Sequence, residues 1–314
     1  MIPHETMNSN SAKPPLAPVY DFWNFEACGS HYVRAKRGTP EFYEEYRQLR
    51  YNVEWHIPLL VPFAETKGKK VLELGCGNGA DGVMFALAGA DYAGVDLTNA
   101  AIEATRAHFD ALGLKGRFQI ENAESLSFAD ESFDFVYSHG VLHHTARPEN
   151  AFAEIHRVLK TGGNALLMLY HKRSFNYYVR ILGYMRARVL FRISSRIGRH
   201  AADRAGLAEG PANVRGNADN SVWQIHYENF LRHGWSYLSP KNFVHHATDG
   251  PECPVAHVYT ASGLRDAFKQ FRSIQFRTAH FPLRKYAFAK WAPLSVERWL
   301  ASKMGWYLFV YLKK

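Results

Sequence analysis

The sequence predicts an α/β protein whose mostly parallel sheet is covered by helices on both faces. Two observations carry this. Short apolar runs alternate with helical patterns from Lys70 to Tyr170, and the first run, Val71-Leu72-Glu73-Leu74, leads straight into glycines at Gly75, Gly77 and Gly79. Strands buried on both faces read as continuous apolar runs, and strand–helix alternation winds them into one parallel sheet. Glycines at the strand end let the chain reverse with positive φ and leave the backbone bare to a ligand. The helix that follows offers that ligand its unpaired N–H groups.

Taken in order, residues 1–18 are polar and proline-rich and read as a flexible tail. Residues 19–64 are aromatic-dense, with Phe22, Trp23, Phe25 and Tyr32 around Cys28-Gly29-Ser30. A helix follows over Glu41–Trp55, carrying Phe42, Tyr46, Leu49 and Val53 at helical spacing. Residues 65–171 hold strands at Val71–Leu74, Tyr92–Asp96, Arg117–Glu121, Phe133–Ser138 and Asn164–Tyr170. Helices lie near Ala80–Ala88, Ala100–Leu112 and Glu149–Leu159, the last ended by Lys160-Thr161-Gly162-Gly163. Residues 172–257 lose this rhythm and read as a helical insertion after the fifth strand. Alternation resumes over 258–314, with a helix at Tyr259–Phe271 and strands at Ser273–His280 and Trp306–Leu312.

Composition narrows the classes. In 314 residues, 47% apolar and 14% aromatic side chains indicate a packed globular protein. Cys28, Cys76 and Cys253 are odd in number and widely spaced, which argues against both disulfides and zinc. No signal-peptide pattern opens the chain and no apolar run approaches membrane-spanning length, so a soluble cytoplasmic protein is expected. The net charge of +9 is local: Lys172, Arg173, Arg180, Arg186, Arg188, Arg192, Arg196 and Arg199 lie in a stretch free of Asp and Glu, and the remainder is nearly neutral.

Gly77 to Gly82 matches the spacing of a dinucleotide fingerprint, a weak signal alone. A Glu73 carboxylate at the strand end would repel a pyrophosphate and welcome a cation. S-adenosylmethionine (SAM) carries a sulfonium and an ammonium group and suits that turn. Glu73 and Gly75–Gly79 after Val-Leu-Glu-Leu resemble motif I of the class I SAM-dependent methyltransferases. Asp96 ends the second strand about twenty residues further on, placed to accept both ribose hydroxyls.

Further segments extend the resemblance, which lies with the small-molecule members related to the ubiquinone and menaquinone methyltransferases. It implies a Rossmann-like sheet of about seven strands with an antiparallel last strand, and an N-terminal lid over the site. Asn122-Ala123-Glu124 is similar to the family's adenine-bordering segment, with Asn122 where Asp is usual. Ser132 through His144 resembles motif IV and the family segment just after it. The resemblance therefore implies that Glu73, Gly75, Cys76, Gly77, Gly79, Asp96, Leu97, Asn122, Ala123, Glu124 and Ser138 bind the cofactor. His139, Tyr170 and His171, at strand ends facing the expected substrate, and His143, one turn beyond His139, are the catalytic candidates. His143-His144 shows no third ligand at a recognisable spacing, so no metal is expected.

The implied reaction is methyl transfer from the sulfonium to a small-molecule acceptor, with a histidine base only if the acceptor must lose a proton. SAM cyclisation and a nicotinamide oxidoreductase are the rival readings. Lys172–Arg199 reads as a substrate cap whose arginines can meet an anionic acceptor. Neither nucleic-acid binding nor stable membrane association is expected, and the oligomeric state is open.

Overall fold

The computed structural model describes residues 16–25, 33–36, 38–194 and 220–314. Val71, Leu72 and Leu74 are wholly buried, which requires neighbours on both edges and both faces of the first strand. The structure supplies them. Strands β1 (Lys70–Leu74), β2 (Asp91–Asp96), β3 (Arg117–Ile120), β4 (Phe133–His139), β5 (Leu159–Tyr170), β6 (Ser273–Ala279) and β7 (Tyr307–Lys313) form one sheet in the order β3-β2-β1-β4-β5-β7-β6. Every pairing is parallel except those of β7, which runs antiparallel to β5 and β6. The fold class is therefore the one expected. Strand order reverses between β1 and β4, opening a crevice at their carboxyl ends where ligands bind in such sheets.

Alternating residues of these strands feed two cores. Leu72, Leu74 and Val136 face α5 (Pro148–Val158) and α8 (Ala261–Ala267) through Phe152, Ile155 and Leu264. Val71, Phe135 and Tyr137 face α3 (Ala80–Leu87) and α4 (Asn99–Ala111) through Val83, Phe85 and Phe109. Thr98 caps α4 by accepting from Ala101 N. A third core, of Tyr177, Ile181, Met185, Trp223 and Phe243, belongs to the insertion and meets the sheet at Tyr170 and Trp306. The insertion's described part holds a π-helical stretch, Asn176–Met185, then α6 (Arg186–Ser194) and α7 (Asn220–His233), with no strand.

Four local expectations differ. Lys160–Gly163 is the opening of β5, with a register shift opposite Phe133–Phe135, because Leu159 leaves the helix in an extended conformation. Leu16, Ala17 and Pro18, expected in the tail, start α1 (Leu16–Phe25). In α2 (Pro40–Val53) the buried stripe is Phe42, Tyr43 and Tyr46, and Val53 is exposed. The helix expected over Tyr259–Phe271 is only Ala261–Ala267, since Thr260 caps its start. Cys28, Gly29, Ser30, Tyr32, Arg196 and Arg199 lie outside the described residues.

Candidate active site

The glycine turn is held by β2. Val95 O accepts from Gly75 N at 2.7 Å and from Cys76 N at 3.1 Å, so the loop curls across the crevice. Gly75 has φ 78°, and a Cβ there would sit 2.1 Å from Val141 Cγ2. Gly77 has φ 55°, with nothing within 4 Å of a Cβ, so its backbone faces open space. Gly79 starts α3 from a left-handed conformation. These are positions that side chains block or strain.

One cavity opens along this turn. Glu73, Gly75, Cys76, Gly77, Asp96, Leu97, Asn122, Ala123 and Glu124 all line it; Gly79 shapes the turn without reaching the cavity, and neither does Ser138. Ser138 donates its hydroxyl to Leu74 O at 3.0 Å, tying β4 to β1. Asp96 accepts from Gly77 N at 3.2 Å, Thr98 N at 3.0 Å and the Thr98 hydroxyl at 2.9 Å. Burial pushes its carboxyl above the usual value despite those bonds. Asn122 Oδ1 accepts from Glu124 N at 3.0 Å, which fixes the amide and leaves its NH2 group and the second lone pair of Oδ1 to offer a ligand. Glu124 is 7% exposed and accepts from Arg147 Nε at 3.0 Å and Arg147 N at 2.8 Å.

Glu73 is buried, and the Tyr92 hydroxyl donates to it. Burial first, then the Asp81 charge, raises its pKa well above the carboxylate range. The negative charge expected at Glu73 from sequence is thus disfavoured by its surroundings, and a bound cation would favour it again.

The far wall comes from the N-terminal helices. Leu16, Val19 and Trp23 of α1 and Tyr46 and Arg50 of α2 line the cavity. Arg50 donates to Asp81 of α3 at 2.7 Å and pairs with Glu54 at 3.1 Å. Asp81 also accepts from Tyr51 at 2.9 Å and Tyr137 at 3.0 Å. Burial alone would raise Asp81, but Arg50 and these hydrogen bonds hold it below its ordinary value. Arg50, Asp81, Trp23 and Asn78 were missed by sequence reasoning. Only the aromatic density before Arg34 pointed toward Trp23.

The histidines divide sharply. His139 reaches the cavity, with Nδ1 3.4 Å from Arg50 Nη2; burial and the Arg50 charge lower its pKa to about 3. His144 lines the cavity instead of His143. Its Nδ1 is 2.6 Å from Val255 O and its Nε2 3.2 Å from Asp249 Oδ2. Burial would lower its pKa, but the Asp249 charge raises it to about 10. His143 is fully buried with its ring 3.7 Å from that of Tyr170. The Tyr170 hydroxyl donates to Asp249 at 2.9 Å, and His171 Nδ1 lies 3.1 Å from Gly305 O. His143, Tyr170 and His171 do not line the cavity; they knit β5 to the insertion and to β7. Near neutral pH His139 is neutral and weakly basic while His144 is an imidazolium, so neither titrates where a base is useful.

Tertiary structure brings together ligand types that the sequence spacing did not show: Glu54 and His56 near His139, and Asp249 and Cys253 near His144. An Arg50 donor at His139 Nδ1 leaves the proton on Nε2, which argues against a metal in the first set. In the second, His144 donates Nδ1–H to Val255 O and turns Nε2 to the Asp249 carboxylate.

The donor set fits SAM. Asn78 lines the cavity, is 2% exposed, and both polar atoms of its amide lack a partner among the described residues. A polar ligand would satisfy it. Glu73 and Asp96 supply acceptors at the two ends of the turn.

Comparison with known proteins agrees. Residues 72–167 match a family model described as a methyltransferase domain. The chain is 32% identical over 122 residues to the ubiquinone biosynthesis O-methyltransferase of Ruegeria pomeroyi, covering 39% of this chain and 48% of that protein. It is 33% identical over 128 residues to the uncharacterized methyltransferase YcgJ of Bacillus subtilis, covering 40% and 51%. The chain thus spans about half the length of these curated relatives. Among solved structures, magnesium protoporphyrin IX methyltransferase from Synechocystis PCC 6803, with bound SAH, shares the fold. Its TM-score is 0.50 at 13% identity, over 96% of this chain and 100% of that one.

Proposed function

We propose that this chain, whose residues 72–167 match a methyltransferase domain model, is a SAM-dependent enzyme related to the ubiquinone methyltransferases and methylates a small-molecule acceptor. The observation that carries the reading is one continuous cavity, running from Asp96 and Asn122 past the glycine turn to His139 and His144. Bound SAM supplies an electrophilic methyl group. Asp96 accepts the ribose hydroxyls, Asn122 borders the adenine, and Glu73 and Asn78 meet the polar methionine end.

The rest of the protein's task is alignment and exclusion of water. Trp23, Tyr46 and Arg50 close the cavity from outside, so α1 and α2 act as its lid. The neutral His139 offers its Nε2–H to the acceptor, orienting rather than deprotonating it. An acceptor that is already nucleophilic, or acidic enough to ionise unaided, suits such a site.

The insertion over 172–257 caps the acceptor end. Tyr177, Ile181 and Met185 pack inward, and Arg188 stacks on Trp223 at 4.3 Å and donates to the Tyr184 hydroxyl at 2.7 Å. Its positive charge serves the cap's own packing, with no RNA binding expected, and an anionic acceptor remains compatible. Among the described residues no helix is long and apolar enough to cross a membrane.

The test is incubation with methyl-labelled SAM and fractionated metabolites, followed by mass spectrometry. Label in an acceptor together with S-adenosylhomocysteine supports the reading. Methylthioadenosine as the product would favour SAM cyclisation, and tight binding of reduced nicotinamide without SAM binding would favour an oxidoreductase.

A further inference from the structure

The segment joining β6 to β7 exposes side chains that a globular surface rarely exposes. Trp291 is 89% exposed, Phe288 87% and Trp299 59%, with Val296 and Tyr286 beside them in sequence. All five charges that residues 283–304 present to solvent are positive: Arg284, Lys285, Lys290, Arg298 and Lys303. The segment's one acid, Glu297, is 4% exposed; it accepts from Trp55 Nε1 at 3.0 Å and pairs with Arg284 at 3.4 Å. In α9 (Leu294–Met304), Val296, Trp299 and Lys303 stand three and four residues apart, so they form one outward stripe.

We propose that residues 283–304 dock this protein on an anionic lipid surface. Exposed aromatics interleaved with Lys and Arg, with no exposed acid, match the headgroup layer: rings settle at the acyl boundary while cations meet lipid phosphates. A protein partner fits less well, because interface cores are depleted in Lys. The charge is complementary to an anionic bilayer and repulsive toward a second copy of the same patch.

Position supports the assignment. Ala279 at the end of β6 pairs with Tyr307 at the start of β7, and Tyr307 pairs with Tyr170 at the end of β5. The segment therefore leaves the same carboxyl rim of the sheet that holds the cavity. Arg298 stacks on Trp55 at 5.0 Å, just beyond α2, whose Arg50 lines that cavity. Docking by this face sets the cavity mouth close to the bilayer. The proposal departs from the expectation of no stable membrane association, which weighed only Lys172–Arg199. It does not depend on the methyl-transfer reading.

The experiment is co-sedimentation of the full chain with phosphatidylglycerol-containing and with purely phosphatidylcholine vesicles, at low and physiological salt. Binding to the anionic vesicles is expected, weakened by salt yet retained at physiological strength through the apolar side chains. The double variant Phe288→Ser, Trp291→Ser should weaken it at least tenfold, as should Lys285→Glu with Lys290→Glu. Circular dichroism and the thermal midpoint should stay unchanged, since these side chains are exposed. Absence of vesicle binding, or binding indifferent to both variants, overturns the proposal. So does a dimer in sedimentation velocity that Trp291→Ser dissociates, which would make the patch a self-interface.

Discussion

Arg50 of α2 and Asp81 of α3 meet 2.7 Å apart directly behind the glycine turn, with the Asp81 side chain 3% exposed. This pair clasps the N-terminal segment to the helix that opens the cofactor cavity. Arg50→Met leaves a buried carboxylate without its counter-charge, a change that costs about 3–5 kcal/mol. The lower end is expected, because Tyr51 and Tyr137 still hold Asp81. Urea unfolding should show the loss, and calorimetry should show weaker SAM binding as the lid loosens. Unchanged stability and unchanged affinity together would remove the clasp from the account.

Glu73 should release its proton when SAM binds. Its pKa is raised in the free site by burial and by Asp81, and an arriving cation favours the ionised form. Binding therefore tightens as pH rises, until Glu73 is already ionised in the free protein. Calorimetry in buffers of different ionisation heat measures the proton count. Glu73→Gln should abolish the difference between buffers, and equal heats for the unmutated protein would refute the coupling.

Asp96→Ala should weaken SAM binding by about 2–3 kcal/mol, roughly 30- to 160-fold, if the carboxylate accepts two ribose hydroxyls. In the free protein the same oxygens hold Gly77 N and Thr98. The alanine variant thus also loosens the turn, and Asp96→Asn separates the two effects by keeping an acceptor for Thr98 N. Unaltered affinity in both variants would put the ribose elsewhere.

The half of the cavity built on the glycine turn was legible in sequence because its determinants are local. A strand end, three glycines and a carboxylate about twenty residues on need only one βαβ unit to come together. The half lined by histidines was not. His143 and His144 are neighbours in the chain, but a one-residue step on a short 3-10 turn sends His144 to the cavity and His143 against Tyr170. The partners that set the histidine charges, Asp249 for His144 and Arg50 for His139, lie 105 and 89 positions away in the chain. No local pattern announces a pairing over that distance. The β6–β7 surface was overlooked for a related reason: aromatic residues in an α/β sequence read as core, and only the fold leaves Phe288 and Trp291 outside.

The His144–Asp249 pair should fasten the insertion to the sheet in a pH-dependent way. His144 belongs to the core and Asp249 to the insertion, with Nε2 and Oδ2 3.2 Å apart. His144 has a pKa raised to about 10. Its contribution is therefore complete below its unfolded value near 6.5 and fades as pH climbs from there through 10. Asp249 is held below its ordinary value of 3.8, the His144 charge outweighing burial, so its contribution is complete above about 4 and is lost as acid protonates it. Stabilisation by the pair is thus greatest between about pH 4 and 6.5. Asp249→Asn keeps the shape and an acceptor for Tyr170 but removes the charge. The gap in thermal midpoint between the protein and this variant should be widest near pH 5–6 and narrow steadily toward pH 10. Nuclear magnetic resonance titration of the variant should find His144 titrating well below 10. A gap that stays constant from pH 5 to pH 10 would mean that His144 is neutral in the folded protein and that apolar packing at Tyr170 and Trp306 holds the insertion without it.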